Sequence, residues 1–150
     1  MLLVQLFACA PSPIPEDALH YNVKVTATAD ECHPDSTQGY SETFEYIVAF
    51  DGSDTTIYIG EEVFAVGQIT GCDLTYQTVV LPGENDTDGA FKWQLFGTAS
   101  VDPTEGDACV EGENDWEGTE YFEIVSSEDE QIEVGCQYTM DSVGGLVAAE

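Results

Sequence analysis

Two stretches of the chain repeat one pattern of oxygen-bearing residues. Gly83-Glu84-Asn85-Asp86-Thr87-Asp88-Gly89 and Gly112-Glu113-Asn114-Asp115-Trp116-Glu117-Gly118 both read G-E-N-D-x-acid-G. Alternating carboxylate and amide oxygens on a glycine-bounded turn are the hard ligands that Ca²⁺ takes. Glu84, Asp86 and Asp88 in the first stretch, and Glu113, Asp115 and Glu117 in the second, are therefore candidate metal ligands. Neither stretch is an EF-hand, because the positions of its bidentate glutamate hold Leu95 and Ile124. The expectation is a weak calcium site of roughly 10⁻⁴–10⁻³ M, typical of extracellular modules. Polar turns in a very acidic protein are the plainer reading.

Other chemistry finds little support. His20 falls on the polar side of an alternating segment and His33 stands before a proline in loop-like sequence, while no G-x-S-x-G occurs. Both histidines read as solvated bystanders. A glycosidase needs two placed carboxylates, but with 30 Asp+Glu any chosen pair is arbitrary. No C-x-x-C metal spacing and no glycine-rich phosphate loop is present. The chain reads as a non-enzyme, with a carbohydrate-active enzyme using paired acids as the weaker alternative.

The five cysteines divide into one and four. The apolar run Met1-Leu2-Leu3-Val4-Gln5-Leu6-Phe7-Ala8 ends at Cys9 and leads directly into Pro11, Pro13 and Pro15. Leu6-Phe7-Ala8-Cys9 resembles the lipobox of bacterial lipoproteins, a resemblance that covers these first nine residues alone. It implies that residues 1–8 are a leader and that Cys9 is lipidated, anchoring the protein to a membrane by acyl chains. Residues 9–17 then form the anchor and a Pro-rich, stiff tether, and residues 18–150 a single domain. The implied address is the outer membrane or cell surface, or otherwise the periplasm or medium.

In such a compartment Cys32, Cys72, Cys109 and Cys136 are expected to form two disulfides. Three pairings exist. Cys72–Cys136 is favoured because both lie in alternating segments, and Cys32–Cys109 because both lie in loop-like sequence.

Charge excludes several partners. The chain carries 30 Asp+Glu against 2 Lys+Arg, a net charge of −28. Nucleic acid needs clustered cations, which cannot be built from Lys24 and Lys92. Charge-driven docking on anionic lipid fails for the same reason. With 43% hydrophobic and 11% aromatic residues the chain nevertheless folds rather than staying disordered. An acid-rich, lysine-poor surface of this kind is expected of a protein adapted to saline medium, where ions screen its self-repulsion.

The elements that must position these groups are strands. Leu19, Tyr21, Val23, Val25, Ala27 and Ala29 alternate with polar residues, as do Phe44, Tyr46, Val48 and Phe50 before the turn Asp51-Gly52-Ser53-Asp54. Thr55–Ile59 and Glu62–Ile69 flank Gly60-Glu61. A strand over Ile69–Val80 should carry Cys72, Leu74, Tyr76 and Val80 inward. Phe91, Trp93, Leu95, Gly97 and Ala99 define another, and Glu120–Ser126 and Gln131–Met140 a last hairpin, with Asp141–Glu150 left as a small-residue tail. Helical periodicity is missing throughout. The fold class is all-β: an antiparallel β-sandwich or up-and-down barrel of seven to nine short strands, stapled by disulfides.

Tyr58, Trp116, Tyr121 and Phe122 sit among polar residues and are candidates for a face that binds a carbohydrate or protein partner, whereas Phe91, Trp93 and Tyr76 share inward parity. The leading functional expectation is an exported cell-envelope lipoprotein acting as a structural or binding module. A lipocalin-like small-ligand carrier is the alternative. If the charge account holds, raising NaCl from about 0.1 to 1 M shortens the Debye length from about 10 to 3 Å and raises the melting temperature. Millimolar Ca²⁺ at fixed ionic strength should add a further rise, measured by calorimetry against chelator; a flat response to Ca²⁺ retires the loop sites.

Overall fold

The computed structural model describes residues 13–32, 40–82, 91–103, 114–128 and 133–147. These form nine strands and no helix: β1 (Leu19–Asp30), β2 (Ser41–Asp51), β3 (Asp54–Ile59), β4 (Glu62–Thr70), β5 (Asp73–Gln77), β6 (Leu81–Pro82), β7 (Phe91–Val101), β8 (Trp116–Ser127) and β9 (Gln137–Leu146). The sheet order is β5-β4-β3-β2-β1-β9-β8-β7-β6, every pairing is antiparallel, and β5 also pairs with β7. That last ladder closes a ring of eight strands, with β6 a short addition alongside β7. The all-β expectation holds, and of its two forms the up-and-down barrel is the one adopted.

Alternation explains which residues face in. Along β1, Leu19, Tyr21, Val23, Val25 and Ala27 are buried while His20, Asn22 and Lys24 are exposed. An irregularity between Ala27 and Ala29 in the pairing with β9 turns Ala29, the last residue of the expected stripe, outward. The interior is filled. Trp116 is fully buried and touches three tyrosine rings, with centroids 5.6 Å from Tyr21, 5.6 Å from Tyr46 and 5.8 Å from Tyr76.

Three sequence expectations are corrected. Ile69–Val80 is not one strand: Gly71, at φ 62°, and Cys72 form a two-residue turn between Thr70 and Asp73. A positive φ is a turn conformation that glycine adopts without strain, and it reverses the chain in the middle of the alternating pattern. Leu74 and Tyr76 do face inward, but Val80 is 46% exposed. Gly135-Cys136 likewise precedes its strand, and Val134 is exposed.

The supposed tail from Asp141 is the second half of β9. It pairs with β1 from Thr26↔Asp141 to Tyr21↔Leu146 and with β8 from Thr119↔Asp141 to Trp116↔Gly144. Its inward positions are small because the wall is close there. A Cβ on Gly144 would lie 2.7 Å from the Asn22 carbonyl oxygen.

The third correction concerns sulfur. Cys32 pairs with Cys136, with Cα atoms 5.3 Å apart, and this replaces both favoured pairings. Glu31 N donates to Gln137 O and β1 runs beside β9, so the end of β1 and the approach to β9 lie side by side. Cys72 is also disulfide-bonded, while Cys109 lies outside the described residues. The Cys32–Cys136 bridge joins residues 104 apart in sequence, so replacing both with serine should cost about 4–5 kcal/mol by the chain-entropy model, measured by urea denaturation.

Candidate functional site

Register places five strands' residues in three parallel rows. Thr55↔Gly67↔Tyr76↔Gly97↔Glu120 runs across β3, β4, β5, β7 and β8 on the inside. On either side of it lie two outward rows. One is polar, Asp54↔Gln68↔Thr75↔Thr98↔Thr119; the other is mixed, Thr56↔Val66↔Gln77↔Phe96↔Tyr121. Such rows follow from the period-2 alternation of every strand they cross.

The inner row holds a buried acid. Glu120 is 1% exposed, and its Oε1 accepts hydrogen bonds from the Tyr46 hydroxyl at 2.9 Å and from the Tyr76 hydroxyl. Burial pushes the Glu120 carboxyl above its ordinary range, and the bonds from Tyr76 and Tyr46 oppose this in part. Burial, and then the Glu120 carboxylate, raises both tyrosine hydroxyls well above the usual phenol range. Ser142 is fully buried and accepts the Trp116 indole N–H at 3.1 Å. A methyl on Gly97 would overlap the Tyr76 ring, and one on Gly67 would collide with the Thr75 carbonyl. The two glycines let the wall draw in at this row. A closed, twisted sheet takes a hyperboloid shape that is concave outside along its strands, and we call the stretch at this row the waist.

That waist carries an open groove of about 840 Å³ lined by the two outward rows and, between them, by Thr55, Gly67, Tyr76 and Gly97 of the inner row. Phe96 and Tyr121 stack across β7 and β8 with centroids 5.3 Å apart and an interplanar angle of 24°. At the opposite side of the groove Gln68 donates its amide to Asp54. A second depression of about 310 Å³ lies where β1 finishes and β7 begins, lined by Asp30, Cys32, Phe91, Trp93, Phe122, Ile124 and Tyr138. Its rings are in contact: Trp93 meets Phe122 edge-on at 4.7 Å, and Phe122 stacks on Tyr138 at 5.9 Å.

The four expected surface aromatics separate. Trp116 and Tyr58, at 0% and 7% exposure, are core residues, which corrects the surface reading for both. Trp116 opens β8 on its inward parity, and the shift between Ile57 and Tyr58 in the β3–β4 ladder breaks the alternation beside Tyr58. Tyr121 lies in the waist groove and Phe122 in the aromatic mouth. Neighbours in sequence, they face opposite sides of one wall.

Among the candidate metal ligands, Glu84, Asp86, Asp88 and Glu113 lie outside the described residues, as does the lipidation candidate Cys9. Asp115 is engaged in barrel closure: its Oδ2 accepts the Leu146 N–H at 2.7 Å, and its own N–H donates to the Gly144 carbonyl at 2.9 Å. Glu117 accepts the Asn114 amide at 3.1 Å. No group of three or more His, Cys, Asp or Glu able to hold a metal occurs among the described residues. His20 is exposed and paired with Glu45 at 2.9 Å.

Sequence reasoning missed Glu120, Phe96, Gln68 and Gln77. Parity held the signal for two of them. Glu120 shares the stripe of Trp116, Phe122 and Ile124, and Phe96 is the ring standing among the outward residues of β7.

No family model matches the chain, and no curated protein or solved structure matches it.

Replacing Glu120 separates its two effects. Glu120→Ala leaves two buried hydroxyls without their acceptor and should cost about 2–6 kcal/mol, at 1–3 for each. Glu120→Gln keeps an acceptor oxygen and should be tolerated. Because the folded carboxyl titrates above the unfolded one, its contribution is complete below the ordinary value of 4.5 and is lost as pH rises through the folded value. Chemical denaturation at stepped pH should show Glu120→Gln gaining on the wild type above that range and drawing level at low pH.

Proposed function

We propose that this protein is an exported, lipid-anchored, non-enzymatic binding module of the cell envelope that holds its ligand on the outside of a filled barrel. One observation carries the second half of this reading: Trp116, Tyr21, Tyr46, Tyr76 and Glu120 occupy the interior, while the waist groove stands open. A carrier of the lipocalin kind needs its ligand space inside.

Three features support export and anchoring. Leu6-Phe7-Ala8-Cys9 resembles a lipobox and is followed by a Pro-rich tether. The Cys32–Cys136 bridge suits an oxidising compartment. The surplus of acid fits a saline exterior, where a weak calcium site in the acidic loops would also be filled. In this reading the acyl chains on Cys9 are the membrane partner, at the outer membrane or cell surface, and the tether enters the barrel where β1 begins. The aromatic mouth, at the opposite end of β1, then faces away from the membrane.

The mouth favours a second reading. At about 310 Å³, almost wholly apolar and ringed by Phe91, Trp93, Phe122 and Tyr138, it has the size and lining of a small-ligand site, and barrel mouths are common places for one. It preserves a carrier role at one end of the barrel rather than in its lumen.

Metabolic labelling with a palmitate analogue tests the anchor. The wild type should label and partition with membranes, and Cys9→Ser should do neither. An unlabelled protein recovered from the cytoplasm with reduced thiols would sink the proposal.

A further inference from the structure

We infer that the waist groove is a saccharide site, taking a neutral, extended oligosaccharide that lies across the five strands. The inference rests on the reading of this protein as a module with an external ligand, and it names the ligand's class.

A sugar ring presents apolar C–H faces and a rim of hydroxyls, so its site needs a flat apolar platform beside groups that both donate and accept. The groove has this division built into its register. Phe96 and Tyr121 form an apolar wall at the β7–β8 end of the mixed row, a stacked pair that is half-buried and fixed by mutual contact. The polar row lies two residues away along each strand, about 6.8 Å, and offers the hydroxyls of Thr75, Thr98 and Thr119 with the Gln68 amide. Gln77 stands in line with the rings. Hydroxyls and primary amides donate and accept alike, as sugar hydroxyls do. Five strands at about 4.8 Å spacing give the rows an arc of roughly 19 Å along the curved wall, enough for a short chain of sugars rather than a single ring.

Charge narrows the class. The lining contains no Lys or Arg, and Asp54 stands at one end. A phosphorylated or uronic-acid chain would meet no counter-charge on a protein of net charge −28. An extended peptide is disfavoured for a different reason. Peptides bind sheets by adding to a free edge, and in this groove the backbones of β4, β5, β7 and β8 are already paired with one another.

The test is an NMR titration of the isotopically labelled full-length chain with linear neutral tetrasaccharides of glucose, mannose, xylose and galactose. At least one should shift the amides of Thr75, Gln77, Phe96, Thr98 and Tyr121 in a saturable way. Tyr121→Ala and Gln77→Ala should each weaken that binding roughly tenfold. Gln77 is exposed, so its variant keeps the test decisive where the aromatic variant fails to fold. Three results overturn the assignment: no response to any tetrasaccharide, shifts confined to the mouth residues Phe91, Trp93, Phe122 and Tyr138, or groove shifts produced by a basic peptide and by none of the sugars. An acylated, exported protein with a silent groove defeats this inference alone. A groove that binds sugar on a protein unlabelled at Cys9 supports it while defeating the export reading.

Discussion

Closure of the barrel through β9 is the constraint on which everything else depends. β9 is hydrogen-bonded to β8 on one side and β1 on the other, so it joins the last-made wall to the first. Without it, β1 and β8 become edges, and exposed edges invite association with other chains. The groups that secure the closure are small or polar. Ser142 receives the Trp116 indole N–H, Gly144 admits the backbone of Asn22, and Asp115 holds the Leu146 N–H. The Cys32–Cys136 bridge locks the other end of the same seam.

Inside this ring, an acid without a nearby cation shapes the core. The chain's two lysines, Lys24 and Lys92, are both exposed, so Glu120 is satisfied by tyrosine hydroxyls rather than by an ion pair. Two phenols donating to one oxygen make the arrangement directional, and directional bonds fix the relative places of β2, β5 and β8 more narrowly than apolar contact does. Tyr76 is held at the same time by Glu120 and by the glycine opposite its ring, Gly97. The close approach of Gly67 and Gly97 to Tyr76 also lines the groove outside. Interior packing and exterior binding surface are thus two sides of one register row.

This gives the functional reading its physical logic. A lumen filled with Trp116 and three tyrosines leaves recognition to the outer wall and the mouth. Both surfaces are aromatic, yet they differ in company. The mouth sets its rings against a disulfide and Ile124, whereas the waist sets its rings among threonines and glutamines. An apolar solute suits the first and a hydroxylated chain the second.

By itself, the sequence determined the class of fold, most strand positions and the sign of the surface, because alternation and charge are local properties carried by each segment. Even the turn at Asp51-Gly52-Ser53-Asp54 and the inward parity of Leu95 and Tyr76 were legible this way. What only the tertiary structure decided were the pairings. Cys32 and Cys136 meet because β1 and β9 are neighbours, a fact no spacing of cysteines contains. β9 hid as a tail because a strand pressed between two close neighbours needs serine and glycine where an ordinary strand shows valine. Trp116 looked like a surface ring because its sequence neighbours are acids, and burial is set by the face of the sheet rather than by neighbours in the chain.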